Sequence, residues 1–479
     1  MDSVQTMEVN IRGRMPKLLV GAAGAEAGMR VVMEGFIIEP LIPKRYWRAG
    51  PEYWTSRPRT AMVAAMNSPT PDNGQRSAAS FKGAAPLGPL NGIRVIDLTT
   101  VIMGPFASRI LGDMGADLVK VEEPGGDMFR QYGPLHSKGM GGSILNLHRN
   151  KRSVALDLKQ PGHRAALVRL IAGADVVLHN LRPAPVARLK LDWPSVRAIN
   201  PRVILCAARG FSQEGPYGDK AAYDDLIQAG SGIASLFSRQ GGAARYVPTA
   251  ICDKIVGQAA VYAVLGALLA RERGGSGQEV EVPMFETMID FVLTEHLAAG
   301  AFEPPLGPMG FPRQLSPQRK PYQTRDGWAC ILPYTDRNWV DFFAFIGRPE
   351  VMADPRFASV DQRVKNIDAL YTLLEQEALL RTSQEWMEFC DRVSIPCMPV
   401  LTLEQVLEDE HVRAIGFVQS DTHPTEGRYR ALQSPVRFGN TPYALGRHAP
   451  RIGEHTAEVL AEAGLSAEQI AAITASAKP

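Results

Sequence analysis

The chain has 479 residues, enough for two or three domains and a large buried core. Apolar residues make up 45%, charged residues 21%, and the formal net charge is +2. That balance gives no case for nucleic acid or an anionic membrane as a bulk partner, and charges or prolines interrupt every apolar run before transmembrane length.

Residues 1–87 differ from the rest. Pro-Glu-Tyr-Trp, Arg-Pro-Arg and Asn-Ser-Pro-Thr-Pro-Asp-Asn-Gly-Gln show no sustained period, so this part reads as a disordered extension, with Met66 a plausible alternative start. An apolar h-region with a cleavage site is missing, which argues against a signal peptide. From Pro89 the character changes. Gly92–Leu98 reads as a buried strand, Thr99–Gly104 as a turn, and Pro105 as the opening of a helix. Leu118–Glu122 is the next strand, completing a βαβ unit. The alternation continues with strand Ser153–Leu158, helix Ala165–Ile171, strand Asp175–His179 and strand Val203–Ala207. It predicts an α/β fold with a Rossmann-like parallel sheet over 88–299.

Neither Gly-x-Gly-x-x-Gly nor Walker A occurs, so nucleotide chemistry of those kinds is not signalled. Ligands of such sheets still sit at the carboxyl ends of the strands, which here carry Thr100–Met103, Glu122–Asp127 and Asn180–Arg182. Arg130, Arg149, Lys151, Arg152, Arg182, Arg188 and Lys220 form a group that could meet phosphates, although any single one of them reads more readily as an ordinary solvated side chain. His148 and His179 are lone histidines without metal-ligand spacing, and no metal site is expected.

The stretch Tyr223–Glu286 organises the chain. Tyr-Asp-Asp-Leu-Ile-Gln-Ala-Gly-Ser-Gly is followed by Asp253 and a helix with apolar residues at 255, 256, 259, 260, 264, 265, 268 and 269, ended by Gly274–Gly275. Asp253 reads either as a helix cap or as a nucleophilic carboxylate, and spacing alone leaves both open. Beyond 300, six prolines between 304 and 321 mark a loop-rich crossing. Strand 327–332 and helices near 338–346 and 362–381 predict a smaller α+β domain over 300–395. Residues 396–479 are expected to return to the large domain. The five cysteines form no Cys-x-x-Cys, which excludes a disulfide framework and places the chain in a reducing, cytoplasmic setting.

Five stretches carry a resemblance. They are Leu90–Leu98 with Gly104-Pro105, Gly115–Glu122 with Pro124 and Asp127, Asn150–Ser153 with Leu156-Asp157, Tyr223–Gly232 with Asp253, and Gly453–Thr456. In this order they resemble the family III coenzyme A transferases of the formyl-CoA and carnitine-CoA transferase type. The resemblance implies that Asp253 is the catalytic nucleophile of a transferase moving CoA from an acyl-CoA thioester to a free carboxylic acid, through an aspartyl covalent intermediate. It implies that Val101, Ile102 and Met103 line the adenine and pantetheine path, and that Asn180, Arg188 and Lys220 contact CoA. It implies CoA or acyl-CoA as substrate with no permanently bound cofactor, and a ring-shaped chain interlocked with a second copy in a homodimer.

The sequence departs from that family at two places. Glu123 stands where an Arg is often found. Leu306–Leu315 replaces the tetraglycine loop of formyl-CoA transferases, which argues against formyl or oxalyl specificity. The loop from Leu306 to Tyr322 is expected to set specificity, and Arg313, Arg319 and Lys320 favour a second carboxylate on the acceptor. Two alternatives remain: an α-methylacyl-CoA racemase, for which Tyr223 stands where a His base is needed, and a catalytically silent CoA-binding protein.

Overall fold

A computed structural model of the chain describes residues 88–477, together with three short strands nearer the N-terminus. Those strands, Leu19–Gly21, Arg30–Met33 and Phe36–Ile38, pair antiparallel within a unit spanning Met1–Ser80. These strands fall within the expected extension of residues 1–87, the rest of which lies outside the described residues.

The second unit, Phe81–Pro479, is built on a six-stranded sheet. Its strands are β1 (Arg94–Asp97), β2 (Asp117–Glu122), β3 (Lys151–Ala155), β4 (Val176–His179), β5 (Ile204–Arg209) and β6 (Gln278–Pro283). All pair in parallel, in the order β6-β5-β4-β1-β2-β3. This is the doubly wound order, and its switch point lies between β1 and β4, where a crevice opens beyond the strand ends. Sequence reading did not assign β6. It is an edge strand with Glu279 and Glu281 exposed and Val282 buried, so it lacks the apolar run that marks the central strands.

Side chains alternate between the two sheet faces. Val95, Val176, Leu178, Ile204 and Cys206 join one core, and Ile96, Val119, Val177 and Leu205 join the other. The first core is covered by α1 (Met103–Asp113), and the second by α2 (Pro161–Ala172) and the C-terminal helices Thr456–Glu462 and Ala467–Ser476. Further elements of the first side are α4 (Asp224–Gly230), α5 (Ile251–Glu272) and α6 (Met284–His296), while α3 (Pro183–Leu189) follows β4.

Helix α5 is long and apolar enough, by length and composition, to cross a bilayer. Here Val256, Ala260, Val264 and Leu268 are buried in the first core, each burial worth about 1–3 kcal/mol. The helix starts two residues before Asp253, so Asp253 lies inside the first turn. The cap position belongs to Ala250, which supplies no side-chain bond. One turn later, Gly257 lets α5 approach α1: a Cβ there would lie 2.7 Å from the Met103 carbonyl oxygen. Gly104 permits a second close approach, since its Cβ would lie 2.2 Å from Thr99 Cβ. These two glycines draw the first turn of α5 and the turn after β1 together.

Four of the seven basic residues grouped above are interior ion-pair partners, not phosphate ligands. Arg130 grips Glu122 through two hydrogen bonds of 2.7 and 2.9 Å. Arg149 does the same to Asp113 at 3.0 and 2.6 Å, and Arg152 donates to Asp117, Glu458 and Glu462. Lys151 Nζ donates to Ser108 Oγ at 2.7 Å and to the Pro105 carbonyl at 3.0 Å, with Asp97 at 3.4 Å. All four basic side chains are buried.

A third, aromatic-rich core holds Trp339, Phe342, Phe343, Trp386 and Phe389 around the antiparallel strands Tyr322–Gln323, Trp328–Ile331 and Cys397–Pro399. The C-terminal segment then runs back to β3. The Ser153 hydroxyl accepts from Gly453 N at 2.8 Å, and Ala155 N donates to Thr456 Oγ1 at 3.1 Å. A hairpin, Val418–His423 with Gly427–Leu432, lies on this path and was not anticipated, because its alternating pattern is mostly polar.

The close approach at Gly257 predicts that Gly257→Ala is destabilising although alanine favours helix. Overpacking costs about 1–3 kcal/mol against a propensity gain of about 1 kcal/mol. The expected result is a lower denaturation midpoint with an unchanged m-value.

Candidate active site

The turn after β1 forms the floor of the crevice. Asp97 Oδ1 accepts from Thr99 N at 2.9 Å and from Thr99 Oγ1 at 2.5 Å, and Lys120 Nζ donates to the Thr99 carbonyl. Thr100 is bracketed by Asn180, whose Oδ1 accepts from Thr100 N at 3.0 Å and whose Nδ2 donates to the Thr100 carbonyl at 2.9 Å. The next residue, Val101, has φ +69°. A β-branched residue in the left-handed region stores strain on the order of 1–3 kcal/mol. Burial alone would raise the Asp97 pKa, but Lys120, Lys151 and the Ser108 and Thr99 hydroxyls overcome it and hold the carboxyl below its usual range. Burial pushes the Lys151 ammonium down to about 7, against the pull of Asp97.

Asp253 reaches the same crevice from the other side. Its backbone N–H donates to Asp224 Oδ1 at 2.9 Å, so the first turn of α5 is capped from α4. Asp224 Oδ2 accepts from Gln228 Nε2 at 2.6 Å, and Gln228 Oε1 accepts from Val247 N at 2.8 Å. The Tyr-Asp-Asp-Leu-Ile-Gln run is thus a bracket that seats the segment leading into Asp253. The Asp253 carboxyl is pushed up to about 7 by burial and by the Asp224 charge, with Lys254 acting in the opposite direction.

Between these two sides lies a cleft of about 330 Å³. Thr100, Val101, Met103, Asn180, Lys220 and Asp253 all line it. Of the residues singled out in the sequence, Ile102 and Arg188 do not. Ile102 is the cap residue of α1, and Arg188 is an exposed residue in the last turn of α3, whose Pro183 and Pro185 form part of the rim. Arg182 lines the cleft, as its place in the basic group allowed. Sequence reading missed Met128, Arg209 and Gln213 as wall residues and Met284 at the start of α6. Arg209 ends β5 and so was findable from the strand-end rule; Met284 directly follows β6, a strand that sequence reading did not assign, Met128 opens a short 3-10 turn, and Gln213 arrives from a loop with no local signal.

The basic loop residues lie elsewhere. Arg313 Nε donates to the Tyr371 hydroxyl at 3.2 Å and its guanidinium stacks 4.2 Å from the Tyr334 ring centroid. Lys320 pairs with Glu375 at 2.8 Å. The Leu306–Leu315 loop is tied to the protein body by Arg239 donating to the Met309 carbonyl and Gly310 N donating to the His296 carbonyl. None of its residues is on the wall of the Asp253 cleft. Among the described residues, no group of His, Cys, Asp and Glu side chains is arranged to hold a metal ion.

The sequence model described as CoA-transferase family III matches residues 90–456. A succinate–glutarate CoA-transferase of Agrobacterium fabrum is 32% identical over 388 residues, covering 78% of this chain and 95% of its own. A succinyl-CoA–D-citramalate CoA-transferase of Chloroflexus aurantiacus is 30% identical, covering 81% and 97%. A formyl-CoA:oxalate CoA-transferase of Streptomyces avermitilis is 32% identical, covering 80% and 97%. Among solved structures, a CAIB/BAIF family protein from Brucella suis matches with a TM-score of 0.68 and 29% identity, over 79% of this chain and 100% of that one.

The Asp253 pKa has a stability consequence. An ordinary aspartate titrates at 3.8, so between that pH and about 7 the folded protein holds a proton that the unfolded chain has released. Stability contributed by this group is therefore full below the unfolded value and lost as pH rises through 7. Asp253→Asn escapes that loss. Its melting temperature should match wild type near pH 4 and exceed it by several degrees at pH 8, as read by paired thermal scans.

Proposed function

The chain belongs to CoA-transferase family III, and on that premise we propose that Asp253 is the nucleophile of a CoA transfer running through an aspartyl intermediate. The observation that carries this is the shared cleft: Asp253 lines the same space as Val101, Met103 and Asn180 at the switch point. An ionised carboxylate needs no general base. It attacks the thioester carbonyl of the donor, the C–S bond breaks, and CoA leaves as thiolate, giving a mixed anhydride. The thiolate attacks the Asp253 acyl carbon, releasing the donor acid and leaving an aspartyl-CoA thioester. The acceptor carboxylate attacks that thioester to form a second anhydride with renewed thiolate. Thiolate attack on the acceptor's acyl carbon then yields the new acyl-CoA and frees Asp253. The helix dipole at the first turn of α5 works with Lys254 towards the charged form, against the burial and the Asp224 charge that raise the Asp253 pKa.

Val101, Met103 and Asn180 are the proposed wall for the pantetheine arm. The exposed cations Arg182 and Lys220 at the cleft suit the CoA phosphates, and Arg188 at the end of α3 extends that cationic edge. The relatives named above each take a dicarboxylic acid by name: succinate, glutarate, citramalate or oxalate. A dicarboxylic acceptor is accordingly the proposed substrate class, with succinyl-CoA the first donor to test. Tyr262 and Leu269 on α5 and Phe291 on α6 are large exposed apolar side chains, which supports a proposed interlocked homodimer that covers them. All five cysteines are free, which suits the proposed cytoplasmic location.

A trapping experiment tests the nucleophile. Incubation with succinyl-CoA followed by hydroxylamine or borohydride should modify Asp253 in wild type, as read by peptide mass spectrometry, and Asp253→Ala should be unmodified and inactive. Modification elsewhere, or exchange that survives the substitution, would overturn the assignment. The pH profile adds a second check. Because the attacking form is the carboxylate, kcat/KM for the acyl-CoA should fall about tenfold per unit once pH drops below about 7. Asp224→Asn removes the neighbouring charge and should move that limb to lower pH.

A further inference from the structure

We propose that Asp127 is a positioning residue for acyl-CoA: it holds the Val101 turn in its left-handed shape and thereby forms both walls of the cleft mouth. The proposal rests on the reading that this cleft binds CoA. Asp127 itself does not line the cleft; it is buried behind it. Both of its carboxylate oxygens face the Val101 N–H, at 3.1 and 3.0 Å. That amide points inward only because Val101 adopts φ +69°, a conformation that valine does not choose unaided. A carboxyl acceptor aimed at the N–H supplies what the side chain opposes.

The same carboxylate serves the facing wall. Asp127 Oδ1 accepts from Phe129 N at 2.9 Å, capping the short 3-10 turn Met128–Gln131, whose first residue, Met128, lines the cleft. Lys120 anchors the arrangement. Its Nζ lies 3.6 Å from Asp127 Oδ2, with both side chains buried, and it also donates to the Thr99 carbonyl, two residues before Val101. Glu122 completes the seat by accepting from Asp127 N at 3.2 Å, while Arg130 holds Glu122. The turn is clamped from its other flank by Asn180 on Thr100, so Asp127 and Asn180 hold Thr100–Val101 from both sides. Preorganising a binding surface in this way lowers the ordering cost of the ligand complex, and its loss should weaken acyl-CoA binding more than it slows the chemistry at Asp253.

The test is a double-mutant cycle with Asp127→Asn and Val101→Gly. Calorimetry reads the Kd for CoA, steady-state kinetics read kcat and KM for the acyl-CoA, and thermal melting reads folding. Asp127→Asn should raise Kd and KM tenfold or more while kcat at saturation changes less than threefold. Glycine adopts positive φ without penalty, so in the Val101→Gly background the same Asp127→Asn change should raise Kd less than threefold. Equal effects in both backgrounds, or a fall in kcat that matches the rise in KM, would overturn the proposal. Asp127→Ser is the companion variant: its hydroxyl can still cap Phe129 N but brings no carboxylate to Val101. It should weaken CoA binding like Asp127→Asn, and wild-type affinity in a folded Asp127→Ser protein would equally overturn the proposal. Failure of the underlying reading looks different, because the wild-type protein would then show no CoA binding at all.

Discussion

The cluster of charges buried beneath the turn after β1 is the constraint on which the site depends. Asp97, Lys120, Asp127 and Lys151 sit at or behind the strand ends, and between them they bond Thr99, Val101 and Pro105. Such a cluster is a poor source of stability. Burying an ion costs several kcal/mol before any pairing returns it, and an apolar replacement of similar volume is often as stable or more so. Removing one partner alone is costly, about 3–5 kcal/mol, because its mate stays charged and buried. What the charges provide instead is aim. Apolar side chains could fill the space, but they could not hold backbone groups at fixed positions around a positive φ.

The central elements were legible because burial on both faces writes β1, β2, β4 and β5 as apolar runs separated by helical periods. Their bounds shifted by one to three residues, as at β3, which begins at Lys151 and not Ser153. The reason is chemical: Lys151 and Arg152 look like loop residues, and only their distant partners make them strand residues. Edge and hairpin strands were illegible for the opposite reason. In β6 and in Val418–Leu432 one face is solvated, and a short polar alternation resembles a loop.

Of the candidate site, the strand-end rule located Val101, Met103 and Asn180, and the helix that begins near Asp253 located the carboxylate. The structure brings these to one cleft through two glycines whose role no local pattern announces, since Gly104 and Gly257 matter only for what lies opposite them. The basic group misled because charge sign is visible in a sequence and pairing is not. Arg130, Arg149, Lys151 and Arg152 each find a carboxylate within reach, at separations of 8 to 54 positions along the chain for the closest partner. The Tyr-Asp-Asp-Leu-Ile-Gln run was visible, but its function as a bracket for a segment 19 to 29 residues downstream was not.

Asp224 carries a conflict that bears on the chemistry. By accepting the Asp253 N–H it fixes the turn that presents the proposed nucleophile, and by its charge it raises the Asp253 pKa. A neutral acceptor would seat the turn without that second effect. The two consequences for reactivity oppose each other, because a carboxylate of higher pKa is the stronger nucleophile but is less often ionised. Near neutral pH a group with a pKa of about 7 gives up roughly half of its population, a factor of two, which a modest gain in nucleophilicity offsets. A pKa near 4 would leave Asp253 fully ionised at the same pH but as a weaker base. The Asp224–Asp253 contact therefore sets position and basicity together, and in the proposed mechanism the energy stored in the second is released on acylation of the carboxylate, when its charge disappears.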